Sequence, residues 1–138
     1  MRRVLEKLFW GFVFSVISYV SVSGQELKKV YLDREFKKTE YEDFASYYRV
    51  ELQSGSDEIT YRLFTVAGKL IGEGKAKSFN YEDYSKNVYV GENLTYHDNG
   101  KVDERTVFEN PGTTKDDYYI EKYNENEKLL LKGAIKAD

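Results

Sequence analysis

Cysteine is absent from this 138-residue chain, and histidine, proline, tryptophan and methionine occur once each. Without cysteine there are no disulfides, no thiol nucleophile, no cysteine-ligated zinc and no lipidated N-terminal cysteine. With His97 as the sole histidine, a multi-histidine metal cluster is excluded, and any Ser-His-Asp triad would have to use that residue. The chain also lacks a basic excess: 21 Lys and Arg stand against 24 Asp and Glu. Nucleic acids and anionic membrane surfaces need a basic footprint, so both are disfavoured as partners. The two signs are interspersed, and no charge run makes a tail. One proline, Pro111, leaves extended runs almost uninterrupted.

The N-terminus differs in character from the rest. Arg2, Arg3 and Lys7 precede an apolar run over 8–22, and Val22-Ser23-Gly24 supplies small residues just before Gln25. That order is the grammar of a secretory signal peptide. The run is short against the ~20 apolar residues of a spanning helix. The expectation is a helical signal peptide over 1–24, cleaved near Gly24, and a mature domain over 25–138 in the periplasm or outside the cell. A transmembrane segment would exist only if that signal were retained. The mature net charge would be about -5, because the segment removes Arg2, Arg3, Lys7 and Glu6.

What is abundant is tyrosine, and twelve of the thirteen lie in the expected mature domain. Tyrosine and β-branched residues suit half-buried pleated surfaces. Short extended runs are expected over 27–32, 46–52, 59–66, 69–77, 88–96, 102–108, 118–123 and 128–135. Polar connections over 33–45, with room for one helical turn, and 80–87 lie between them. In 46–52, Tyr48, Val50 and Leu52 face one way and Tyr47, Arg49 and Glu51 the other. Leu70, Gly72, Gly74 and Ala76 share a thin face that lets a neighbouring group approach closely, and tyrosine rings are expected over those glycines. Ser54-Gly55-Ser56-Asp57 and Asn110-Pro111-Gly112-Thr113 carry turn chemistry.

The best-defined stretch is Tyr96-His97-Asp98-Asn99-Gly100-Lys101-Val102. Asn99-Gly100 between extended runs is a strong hairpin signal, since both residues tolerate positive φ. Phe64 to Leu70, through Gly68 and Lys69, and Tyr123 to Leu129, through Lys128, repeat the order of aromatic, spacer, turn residue, lysine and aliphatic. Phe64 and Tyr96 are 32 residues apart, Tyr96 and Tyr123 27, and Tyr31 lies 33 before Phe64. A period near 30 is a mark of repeat architecture. The expected fold is all-β, an antiparallel meander of repeated hairpins with about eight strands in a single curved sheet.

Gly68-Lys69-Leu70-Ile71-Gly72-Glu73-Gly74 and Tyr96 to Val102 resemble the hairpins of MORN repeats, in particular the bacterial variant of YwqK-type antitoxin-like proteins. The block from Tyr31-Leu32-Asp33 through Phe36 and Thr39 to Ala45-Ser46-Tyr47-Tyr48-Arg49 resembles exported MORN-variant proteins of gram-negative bacteria. Some of those continue into a TonB-type domain. The chain departs from the pattern at Glu127, where glycine is expected, and lacks a second Gly-x-Gly after Lys101. The resemblance implies a sheet that binds protein or lipid, without catalytic residues to transfer.

Few constellations suggest chemistry. His97 beside Asp98 sits in a turn, where polar residues serve the backbone. The pairs Asp57-Glu58, Glu82-Asp83 and Asp116-Asp117 are sparser than a calcium loop. Gly72-x-Gly74 lacks the third glycine, helix and Lys-hydroxyl pair of a phosphate cradle. Asn93-Leu94-Thr95 matches a glycosylation sequon, but within a strand. Tyr47, Tyr89 and Tyr119 fall opposite the aliphatic positions of their strands, so a shared exposed stripe is one expectation, and a sheet covered on both faces or singly placed surface rings the other. The functional expectation is an exported, non-enzymatic module without cofactor or metal, contacting a protein or cell-envelope component. An antitoxin-like inhibitor that occludes a partner, and a small ligand carrier or hydrolase with a pocket in the sheet, are the alternatives. The pattern is compatible with any oligomeric state.

Overall fold

The computed structural model describes residues 26–54, 57–109 and 117–136. Eight strands form one open antiparallel sheet in strict meander order: β1 (Glu26–Leu32), β2 (Tyr47–Ser54), β3 (Glu58–Thr65), β4 (Leu70–Ser78), β5 (Val88–Tyr96), β6 (Val102–Phe108), β7 (Tyr118–Tyr123) and β8 (Leu129–Ile135). The expected all-β meander of about eight strands is therefore what the chain forms. The expected signal peptide over 1–24, the turn around Pro111 and Asp116 lie outside the described residues. The two polar connections each contain a single 3-10 turn, Glu42–Phe44 and Tyr84–Lys86.

The sheet is built on one turn used four times. Asp33, Thr65, His97 and Asn124 each donate their backbone N–H to the carbonyl of the lysine four residues on, at 2.8, 2.9, 2.8 and 2.9 Å. In each, the residue before that lysine donates back to the opening carbonyl: Phe36, Gly68, Gly100 and Glu127. All four of these penultimate residues have positive φ, from 63° to 97°. The three hairpins then share the same irregularity, since the return strand skips Ile71, Asp103 and Leu130 at equivalent places. The first copy has no second strand, only the bridge Leu32↔Lys38, before the chain departs towards β2.

Side chains lace the later turns into one row. Lys69 Nζ pairs with Asp98 at 3.4 Å, and Lys101 Nζ with Glu127 at 3.1 Å. Asn99 Nδ2 donates to the Glu125 carbonyl at 2.9 Å. Left-handed backbone costs a non-glycine residue about 1–2 kcal/mol. Glu127, exposed and at φ 68°, bears that cost in return for a surface pair worth at most about 1 kcal/mol. Glu127→Gly is expected to raise stability by about 0.5–1 kcal/mol, read as a higher urea midpoint at unchanged slope.

Register fixes the two faces. Arg49↔Leu63, Leu63↔Gly72 and Gly72↔Thr95 place these side chains on one side, the front. Tyr48↔Phe64, Arg62↔Glu73 and Glu73↔Leu94 belong to the back. The aliphatic positions of β2 therefore point backwards while Ile59, Tyr61 and Leu63 of β3 point forwards. Alternation holds through β2 and β3, but the bulge at Ile71 sets Leu70 on the back opposite Phe64 while Gly72, Gly74 and Ala76 face forwards, so the four do not share a face as expected. Apolar residues also change faces between neighbouring strands. The core is accordingly split: Val30, Leu32, Tyr61 and Ala76 are buried at the front, and Phe64 and Val90 at the back.

Candidate binding face

Both polar connections are tied together over the front of the sheet. Lys38 donates its backbone N–H to the Tyr81 carbonyl at 2.9 Å, and Phe36 stacks on Tyr47 with centroids 4.6 Å apart. Phe36 also meets Tyr84 at 5.4 Å, which joins the first connection to the second. Asp83 caps the second 3-10 turn by accepting from the Ser85 N–H and hydroxyl, so the pair Glu82-Asp83 includes a structural member. These hydrogen bonds hold Asp83 below the ordinary carboxylate range.

From there an aromatic row runs across the front: Tyr61 against Phe79 at 5.4 Å, Phe79 against Tyr89 at 6.2 Å, Tyr89 stacked on Phe108 at 5.7 Å, and Phe108 beside Tyr118 at 5.6 Å. Such ring pairs add directional attraction to apolar burial. Between this row and the connections lies a cavity of about 260 Å³, walled by Phe36, Tyr84, Tyr89 and Phe108 and floored by Asn93, Thr95 and Thr106. Arg49 and Glu104 border it. The combination of apolar walls and a few placed polar groups is the usual make-up of a ligand site.

Asn93 explains Gly74. A Cβ at Gly74 would lie 2.1 Å from Asn93 Oδ1, so the amide packs directly on the bare backbone. Asn93 Oδ1 accepts from the Tyr61 hydroxyl at 2.7 Å, and Nδ2 donates to the Val90 carbonyl at 3.0 Å. Burial pushes the Tyr61 hydroxyl well above its ordinary value, which keeps it a donor. The thin glycine face thus receives an asparagine at Gly74, held by the hydroxyl of Tyr61, the residue opposite Gly74 in β3. Asn93 of the sequon is buried within β5.

At the edge of the cavity, Arg49 and Glu51 form a buried pair, Nε to Oε2 at 2.8 Å, with residue exposures of 6% and 4%. The Arg49 guanidinium lies 3.6 Å above the Phe79 ring centre, and the Tyr81 hydroxyl donates to Glu51 Oε1 at 3.2 Å. Strand alternation gave no reason to single out this pair. The cue available in the sequence was Arg49 two residues before Glu51, which places both on one face.

The back face is different. Arg105 bridges Glu92 and Glu121 across three strands, Arg62 pairs with Glu73, and Glu73 accepts from the Tyr96 hydroxyl. Tyr119 and Tyr123 both donate to Glu121, at 3.0 and 2.6 Å. Those hydroxyls, ahead of Arg105, hold the Glu121 carboxyl below its ordinary range. A lowered folded value stabilises the fold fully above the ordinary carboxylate range, and the benefit disappears as pH falls through the lowered value. Glu121→Gln is therefore expected to flatten the loss of stability on acidification below about pH 4.5, measured by urea midpoints at stepped pH. A wider hollow of about 460 Å³ on this face is walled by Arg62, Glu73, Lys75 and Glu58, all in ion pairs.

The candidate residues separate accordingly. Tyr47 and Tyr89 are half-buried on the front, Tyr47 beneath Phe36 and Tyr89 in the cavity wall. Tyr119 faces backwards onto Glu121. The three do not make a single stripe, because lying opposite a strand's aliphatic positions means the front in β2 and β5 and the back in β7. Gly68, Lys69, Asn99, Gly100, Lys101 and Lys128 all sit in the turn row. His97 donates from Nε2 to the Tyr123 carbonyl at 2.8 Å, with Asp103 at 3.6 Å, and so fastens one turn to the next. Glu58 pairs with Lys75, and Asp117 with Lys136. Among the described residues, no three His, Asp or Glu cluster as metal ligands, and no helix is long and apolar enough to cross a membrane. No family model, curated protein or solved structure matches the chain.

Proposed function

We propose that the protein is an exported, non-catalytic binding module of MORN-variant type, whose front face engages a protein or a component of the cell envelope. The observation that carries this reading is the asymmetry of the sheet. On the back, Arg62, Glu73, Glu92, Arg105 and Glu121 are engaged with one another and with the Tyr96, Tyr119 and Tyr123 hydroxyls, whereas the front presents an aromatic row beside an open cavity. Aromatic surface with few free charges is what interface centres are made of. The export-like order of residues 1–24 and the repeated turns support the setting and the architecture. His97, the one residue suited to acid-base work near neutral pH, is committed to a turn contact.

The test compares faces. The chain carrying Tyr89→Ser and Phe108→Ser, and separately the chain carrying Arg105→Gln, are used to capture partners from their own cell envelope. A partner lost with the first variant and kept with the second supports the reading. Retention of every partner by a folded front-face variant would contradict it. Sequencing of the mature N-terminus should begin near Gln25, and a protein starting at Met1 in the cytoplasm would remove the export claim.

A further inference from the structure

The Arg49 guanidinium has more donors than partners. Its Nε is occupied by Glu51, and its flat face by Phe79. Among the described residues nothing accepts from Nη1 or Nη2, although the side chain is only 7% exposed. Buried donors are ordinarily satisfied, and an unmet one on a charged group is costly. The same side chain borders the 260 Å³ cavity. The unmet part of the fork and the aromatic walls therefore belong to one site.

Resting on the reading of the front as the binding face, we infer that this cavity takes a small aromatic group bearing one carboxylate. The carboxylate accepts in a forked arrangement from Arg49 Nη1 and Nη2, since a planar guanidinium matches a carboxylate in shape and charge. The ring lies among Phe36, Tyr84, Tyr89 and Phe108, where offset and edge contacts are open to it. Glu51 anchors the guanidinium through Nε and leaves the outer fork free. Glu104 borders the same cavity and is paired with Lys122 at 3.4 Å, which leaves Arg49 as the cation with open donors there. A free aromatic acid and a peptide ending in an aromatic residue present the same chemistry.

The full chain is titrated calorimetrically with 3-phenylpropanoate, with its neutral amide, and with a Gly-Gly-Phe peptide carrying a free or an amidated C-terminus. The acid forms are expected to bind at least about tenfold tighter than their amides, as a charge-assisted pair lost to a neutral analogue would give. The tighter of the two acids identifies the source. Arg49→Lys, which keeps a charge for Glu51 but not the fork, should abolish the preference. Arg49→Met with Glu51→Leu, which removes the pair altogether, should do the same while circular dichroism stays that of a folded sheet. Equal binding of acid and amide, no binding of either acid, or a preference that survives Arg49→Lys overturns the inference. If the acids fail while envelope capture still depends on the front face, this inference falls alone. If the acids bind while capture ignores the front face, the module reading falls and the cavity site stands.

Discussion

Glu51→Ala is expected to destabilise the protein by about 3–5 kcal/mol, among the largest effects any single substitution should have here. The reason is what remains. Arg49 would stay buried over Phe79 with its only side-chain acceptor among the described residues gone, and a lone interior charge is far costlier than a paired one. The pair itself is a poor source of net stability, because removing two charges from water offsets most of their attraction. Arg49→Met combined with Glu51→Leu should therefore lie within about 1 kcal/mol of the parent chain, or above it. Urea midpoints of the single and double variants decide the matter. A double variant as unstable as Glu51→Ala would mean that the pair contributes directly. A Glu51→Ala protein of near-parent stability would mean that Arg49 is solvated.

The second large effect is expected at Gly74, where Gly74→Ala should cost about 3 kcal/mol. An added methyl would sit 2.1 Å from Asn93 Oδ1 and 2.9 Å from Asn93 Cα. A side-chain rotation relieves the first contact only by breaking the bonds to Tyr61 and Val90; the second involves backbone held in β5. Three residues of β5, Gly91, Glu92 and Asn93, bulge opposite Gly74, and the amide fills the space the bulge creates. Gly133→Ala is the control, because nothing lies within 4 Å of a Cβ there. It should be neutral or mildly stabilising, by up to about 0.5–1 kcal/mol, since glycine weakens a strand interior. Equal losses at the two positions would indicate a general intolerance of side chains in place of glycine and would remove the special role of Asn93.

Much of the architecture was legible because it is local. Asn99-Gly100 states its turn outright, and the aromatic-to-lysine order carries that turn to Gly68 and Lys128. The extended runs then place β5 to β8 along the chain, but alternation misses the bulges at Asp103 and Leu130, which set Val102 and Leu129 on the opposite face from the alternate residues that follow them. The first copy of the turn was harder to read because Phe36 occupies the left-handed position, where a bulky residue is unexpected. Its aromatic contacts with Tyr47 and Tyr84 hold it there, and these are tertiary. The candidate site was less legible for a related reason. Alternation tells which residues of one strand share a face, and register tells which face that is. Tyr119 parts company with Tyr47 and Tyr89 for want of register alone. The same gap hid the buried Arg49–Glu51 pair, which in isolation reads as the polar side of β2.

The tyrosines distributed over both faces make a direct test of where this sheet binds. Oxidative surface footprinting of the protein, with and without extract of its own cell envelope, reports on each tyrosine separately. Binding by the front face is expected to protect Tyr84 and Tyr89 at the cavity and to leave Tyr119 and Tyr123 on the back unchanged. Protection of Tyr119 and Tyr123 with Tyr84 and Tyr89 still reactive would contradict it.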